Sequence, residues 1–171
     1  AIILVFISCK TNPLTGKSTL NFVSNSELFP SSFQQYGTFL KENKVIIGSS
    51  DAKLVEKVGV KIKLAAEKYL NYLGQTEYLK DYSWEYKLVE NKEVNAWCMP
   101  GGKIVVYSGI LPVTINESGL ATVMGHEVSH ALARHGSERM TQSMLAQGIA
   151  LTGDIATSKN PQVNNTFNQA F

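Results

Sequence analysis

Cysteine is scarce in this chain. Cys9 and Cys98 are the only two in 171 residues, and no set of four ligands, often Cys, of the kind that usually closes a structural zinc site stands in the sequence. Charge of one sign is scarce as well. Sixteen basic residues against fourteen acidic ones leave +2. With no basic block and no aromatic-interleaved patch, nucleic acid is not an expected partner. The apolar run from Ala1 to Ile7 is far too short to span a bilayer. No internal repeat or low-complexity tract occurs. Gly16-Lys17-Ser18 imitates the end of a phosphate loop, but Thr11 stands where that loop needs its first glycine. What remains, 44% apolar and 18% charged, suits one globular domain with a real core.

Histidine is also rare, and here the scarcity is informative. The chain has three, and all fall within His126–His135. His126-Glu127-Val128-Ser129-His130 fits the pattern His-Glu-x-x-His. Leu120, Val123, Met124, Val128, Ala131 and Leu132 recur around it at helical spacing. On a helix two residues four apart sit about 40° apart on one face, one turn along. That is the bite a tetrahedral zinc needs from two imidazole nitrogens. Glu127 is one step round, out of reach as a ligand but able to reach a water. Zinc lowers the pKa of its water towards about 7, and the glutamate takes the proton as that water attacks a carbonyl. The bland alternative is a pair of packed or surface histidines on an amphipathic helix.

In chain order, Ala1 to Ile7 suits the h-region of a signal peptide. A small residue before Cys9 resembles a lipoprotein box, which would make Cys9 the lipidated N-terminus of the mature protein. The alternative is a buried N-terminal strand with a free thiol. Residues 10–25 are polar and turn-rich, with Asn12-Pro13 and Thr15-Gly16 as breakers, and are expected to be a tether. Helices are expected over Ser26 to Glu42 and from a cap at Asp51 to Gly74. Leu54, Val55, Val58, Ile62, Ala65, Ala66, Tyr69, Leu70 and Leu73 form the second helix's buried stripe, and Gly59 weakens it.

The period then changes to two. Trp84, Tyr86 and Leu88 alternate with Glu85 and Lys87, as in a strand with one solvated face. Val94 to Met99 and Lys103 to Tyr107, joined by Pro100-Gly101-Gly102, predict a hairpin. Asn116 should cap the motif helix, which should run to about Arg134 and break or bend at Gly136. Ser137 to Leu151 should resume as a helix whose methionines, Met140 and Met144, are core. Residues 153–165 read as a loop, with a further element opening at Thr166.

Asn95-Ala-Trp-Cys-Met-Pro-Gly-Gly-Lys-Ile-Val-Val-Tyr-Ser-Gly-Ile-Leu111 and Met124-Gly-His-Glu-Val-Ser-His-Ala-Leu-Ala-Arg-His135 together resemble peptidase family forty-eight of the zinc metallopeptidases. That family includes HtpX-like and BepA-like envelope proteases and mitochondrial Oma-type enzymes. The similarity runs from about Phe33 to Phe171. With Cys9 in front, the chain looks most like the lipid-anchored periplasmic branch of Bacteroidetes-like bacteria, on the envelope and at its outer membrane. The resemblance implies an α+β, mostly helical, gluzincin-like domain with a small sheet beside the motif helix.

The resemblance also implies a third zinc ligand, a glutamate on a later helix in an E-x-x-x-D setting. No such motif lies between His130 and Phe171, and Asp154, the nearest acidic candidate, lacks the pattern. The chain starts at Ala1 rather than Met and is expected to be a fragment at both ends, with residues 26–171 a truncated metallopeptidase domain. The third ligand is then expected beyond Phe171, and the chain alone should bind zinc weakly or not at all.

The expected roles follow. His126 and His130 ligate zinc, and Glu127 is the general base. Asn95, Ala96 and Trp97 form the edge against which a substrate polypeptide lies extended, the alternative being a purely structural hairpin. His135 is expected to point to the side opposite the other two histidines, as a non-ligand that caps or hydrogen-bonds near the helix end. Cys98 is expected to be a small core residue. The function expected is a zinc endopeptidase acting on misfolded or stalled envelope proteins. A chaperone-like binding module with little proteolysis is the alternative, disfavoured by an intact Glu127.

Overall fold

The computed structural model describes residues 9–20, 23–146 and 165–166. The expected signal-peptide core, the loop at 153–164 and Asp154 lie outside the described residues. Five elements come first: β1 (Cys9–Thr11), β2 (Ser18–Leu20), α1 (Asn25–Glu42), β3 (Val45–Ile46) and α2 (Ser50–Tyr72). Then come β4 (Glu85–Val89), β5 (Ala96–Met99), β6 (Lys103–Tyr107), a 3₁₀ turn at Ser108–Ile110, α3 (Leu111–Thr114), α4 (Glu117–Leu132) and α5 (His135–Ala146). The architecture is mostly helical α+β with a four-stranded sheet, as expected.

The sheet runs β3-β4-β6-β5. β5 and β6 form the expected antiparallel hairpin through Pro100-Gly101-Gly102, with Met99 opposite Lys103. Gly101 and Gly102 both have positive φ (84° and 86°), which suits residues without a Cβ. β4 pairs with β6 in parallel, Tyr86 opposite Ile104. Every residue of β6 is buried. That accounts for its unbroken Ile-Val-Val run: a central strand covered on both faces has no solvated side to alternate with.

Side-chain alternation divides the sheet's two faces. Leu88, Ala96, Ile104 and Val106 pack with Val55 and Val58 of α2 and with Leu120, Met124, Val128 and Leu132 of α4. Val89, Val105, Tyr107 and Trp97 face Tyr36, Phe39 and Leu40 of α1. The β4 face expected to be solvated is only partly so: Val89 packs with Tyr36 of α1, while Glu85 and Lys87 stay half-exposed and Glu85 pairs with the buried Lys103 at 3.2 Å. Met140 and Met144 are buried against Leu28 and Phe29, joining α5 to α1 as core residues.

In α2 the cap and part of the buried stripe differ from expectation, and the place of Gly59 is explained, each for a local reason. Ser49, not Asp51, caps α2, its hydroxyl accepting from the Ala52 amide. On α2, Ala65 and Tyr69 are exposed rather than buried, because they face a groove beside the motif helix. Gly59, which costs helix propensity, is buried because the Tyr86 ring lies on it; a Cβ there would stand 2.2 Å from that ring.

The largest correction concerns residues 10–25. They do not form a bare tether: β1 and β2 pair antiparallel, Thr11 opposite Ser18. The intervening turn buries Asn12, whose carboxamide oxygen accepts from the amides of Leu14 and Thr15. Its Nδ2 donates to the Leu132 carbonyl at 3.2 Å, and the Tyr78 hydroxyl donates to the same oxygen at 2.6 Å. That carbonyl is one of the last on α4, where helix geometry supplies no partner. The hairpin therefore caps the motif helix. Asn12→Ala should lower stability by about 1–2 kcal/mol, since its four side-chain hydrogen bonds go and a buried acceptor loses one donor. Thermal melting would show this, and a tether would predict no change.

Candidate metal centre

α4 is amphipathic about one stripe. Leu120, Met124, Val128 and Leu132, each four residues on from the last, are buried against the sheet and α2. Each such fully buried side chain is worth about 1.5–3 kcal/mol, enough to fix the helix's rotation. Asn116 caps it as expected, its side chain accepting from the Gly119 amide. With that stripe inward, His126 is exposed and His130 half-buried on the opposite side.

The two imidazoles meet edge to face, centroids 4.4 Å apart, with the Nε2 atoms 2.9 Å from each other. Two nitrogens on a tetrahedral zinc at 2.0–2.1 Å stand about 3.3 Å apart. Opening the pair by a few tenths of an ångström therefore admits the ion, and the donors fit it. Burial, and then the neighbouring His126 and His135, hold the His130 imidazole below its ordinary pKa. That favours the neutral ring a metal ligand must be. Among the described residues no group of three His, Cys, Asp or Glu side chains converges as a ligand set.

Glu127, one step round the helix, turns towards β5. It lines a groove of about 270 Å³ with Trp97, Cys98, His130, Gly136 and Arg139. Strand β5 is an outer strand of the sheet and pairs only with β6 among the described residues. The Tyr107 amide donates to the Asn95 carbonyl at 3.0 Å, so Asn95 and Tyr107 form a hydrogen-bonded pair. By antiparallel alternation the N–H and C=O groups of Ala96 and Cys98 then point away from β6, along the open edge. The Ala96 side chain is buried and the Trp97 ring packs edge-on against Phe39 at 5.0 Å. What this segment offers a ligand is main chain at 96 and 98. The sequence pattern placed the edge at 95–97, because register is invisible until the partner strand is known.

Cys98 belongs to the core as expected, packed with the residues beneath α4. Burial pushes its thiol pKa up, and the Glu127 carboxylate adds to the effect. Its burial thus favours the protonated thiol, a poor nucleophile.

His135 hydrogen-bonds near the helix end as expected, but its direction departs from expectation. α4 ends at Leu132, and Arg134 adopts φ 61°, a left-handed conformation that costs about 1–2 kcal/mol for a residue with a Cβ. The break lies at Arg134, while Gly136 is inside α5. The Arg134 guanidinium lies over the Tyr78 ring at 5.1 Å, which helps hold the turn. The chain reverses there and returns His135 to the other histidines, its Nδ1 2.7 Å from Nδ1 of His130. Extrapolating one ideal helix through Arg134 placed it on the wrong side.

Similarity to known proteins agrees with this geometry. A family profile, Peptidase family M48, matches residues 66–170. Over 119 residues, 68% of this chain and 34% of the relative, it is 32% identical to the mitochondrial metalloendopeptidase OMA1 of Saccharomyces cerevisiae. It is 46% identical over 69 residues to the Arabidopsis thaliana OMA1, covering 40% of this chain and 14% of that protein. It is 31% identical over 93 residues to the beta-barrel assembly-enhancing protease of Escherichia coli strain K12, covering 52% of this chain and 19% of that one. The chain thus spans about a third or less of the length of these relatives. With its motif helix, its hairpin and more than half its residues matched, the chain belongs to peptidase family M48, a family of metallopeptidases.

Proposed function

We propose that this chain carries the first part of the active site of a zinc-dependent endopeptidase. The observation that carries the reading is the facing pair of Nε2 atoms, 2.9 Å apart, beside a carboxylate that looks onto an open strand edge. His126 and His130 would hold the ion through those nitrogens, with a glutamate beyond Phe171 as the third ligand. Bound there, zinc would supply the Lewis acid that acidifies a water and polarises the scissile carbonyl.

The substrate is an extended polypeptide laid along β5, bonded through the main chain of Ala96 and Cys98. Glu127 takes a proton from the attacking water and passes it to the leaving amine as the C–N bond breaks. The protonated Cys98 thiol nearby offers no competing nucleophile. A pure binding module would have no use for that carboxylate beside the histidines.

Cellular placement follows from residues rather than from the fold. We assign Cys9 as a lipid anchor on the periplasmic side of a bacterial envelope, with envelope proteins as substrates. The small residue before Cys9 and the apolar run ahead of it support this. Among the described residues no helix is long and apolar enough to cross a membrane.

The test is elemental analysis and a cleavage assay on the full-length protein. It should hold one zinc per chain and cut an unfolded polypeptide. A chelator should stop the cutting and added zinc restore it. The 171-residue chain alone should bind zinc weakly and cut nothing. Full-length protein that is folded, well supplied with zinc and yet metal-free sinks the reading.

A further inference from the structure

His130 has both ring nitrogens engaged. Its Nε2 faces Nε2 of His126 at 2.9 Å, and its Nδ1 lies 2.7 Å from Nδ1 of His135. A neutral imidazole carries one proton. If Nε2 is to offer its lone pair to a metal, that proton must sit on Nδ1, and Nδ1 then needs an acceptor. His135 is where that acceptor stands, and the rings lie 4.9 Å apart at a 58° tilt, close enough to fix each other's planes.

The fold accepts backbone strain to bring this about. Arg134 is one of only two non-glycine positive-φ residues among those described, and it sits directly before His135. Without that reversal a residue nine on from His126 would face away from the histidine pair. Three contacts hold the reversal: Tyr78 and Asn12 on the Leu132 carbonyl, and the Tyr78 ring under the Arg134 guanidinium.

We propose that His135 is a positioning residue for the metal centre: its Nδ1 accepts the Nδ1–H of His130, selecting the tautomer and ring plane that aim Nε2 of His130 at the ion. This rests on the zinc reading above. His135 is not a ligand to the same ion, because it meets His130 on the ring nitrogen away from His126. Its own Nε2 then carries the proton. His135 also lines the apolar groove shared with Leu14, Ile62, Ala66 and Tyr69. Partners of this kind on a ligating histidine typically change metal affinity by about 10–100-fold.

The experiment compares His135→Leu, which removes the acceptor, with His135→Asn, whose Oδ1 occupies nearly the place of the imidazole Nδ1. Both are made in the full-length protein, and zinc affinity is measured by competition with a chromophoric chelator. Melting of the metal-free protein is followed alongside. The expected result is a zinc affinity about 10–100-fold weaker for His135→Leu, near-parental affinity for His135→Asn, and unchanged metal-free melting for both. Parental affinity in His135→Leu overturns the proposal. So does an equal loss in both variants, which would mark His135 as a packing residue, the more so if metal-free melting falls with it. If the parent and His126→Ala bind zinc equally poorly, the metal centre itself fails and this proposal falls with it.

Discussion

Glu127→Gln should reduce peptide cleavage by about 10²–10⁴-fold while zinc content stays that of the parent. Glutamine keeps the shape and polarity of the side chain but cannot take a proton, so the step that turns water into a nucleophile loses its base. Glu127 sits one residue round from His126, with its side chain in the groove beside β5 rather than between the two Nε2 atoms. Its loss therefore removes no metal ligand. Polypeptide binding should also survive, because the proposed substrate contacts are the main chain of Ala96 and Cys98. The measurement is a kcat and KM pair with metal analysis on the same sample: kcat should fall while KM and zinc hold. A variant that cuts as fast as the parent would show that the proton goes elsewhere, and the protonated Cys98 thiol is not a candidate to receive it.

The motif helix was legible because several independent signals coincide there: apolar spacing, a capping asparagine and two histidines one turn apart. All three survive in the structure, down to the Asn116–Gly119 bond. The hairpin was legible from Pro100-Gly101-Gly102 and its flanking β-branched residues. Less of the sheet was. The parallel pairing of β4 with β6 joins residues 18 apart in sequence, such as Tyr86 and Ile104, and no local pattern encodes that choice. The partial cover over one β4 face was hidden for the same reason, since no local pattern places Lys103 beside Glu85.

The two errors nearest the site share a cause, which is a single residue acting out of character. Asn12 belongs to a turn-rich polar stretch, and composition alone reads such a stretch as linker. Its carboxamide is nonetheless buried on the end of α4. Arg134 is a good helix former by propensity, yet it takes φ 61° because α4 must end and turn there. Tertiary contacts from Tyr78 outweigh that propensity, and His135 moves from the far side of the helix to within hydrogen-bonding distance of a ligand. The proposed base and the two proposed ligands could be picked out by spacing. Their support could not, because it depends on where other elements arrive.

Gly109→Ala should cost about 3 kcal/mol of stability, the upper part of the range for overpacking. The residue lies in the 3₁₀ turn after β6, and its amide donates to the Asn91 carbonyl at 2.8 Å. Ser108 reinforces the contact, its hydroxyl donating to the same carbonyl at 3.0 Å. A Cβ at Gly109 would stand 2.3 Å from the Lys92 carbonyl oxygen and 2.5 Å from that of Glu93. These are main-chain atoms, so no rotamer change relieves the clash; the 91–93 turn has to move. That turn feeds directly into β5, whose first hydrogen bond to β6 is made by the Asn95 carbonyl. The damage should therefore appear twice. Thermal melting of the variant should fall, and KM for a polypeptide should rise with kcat less affected, since the displaced edge binds substrate while His126, Glu127 and His130 stay on α4. A variant that melts with the parent and keeps its KM would mean that the turn and the strand edge move independently, and β5 would then lose its claim to be the surface on which the peptide lies.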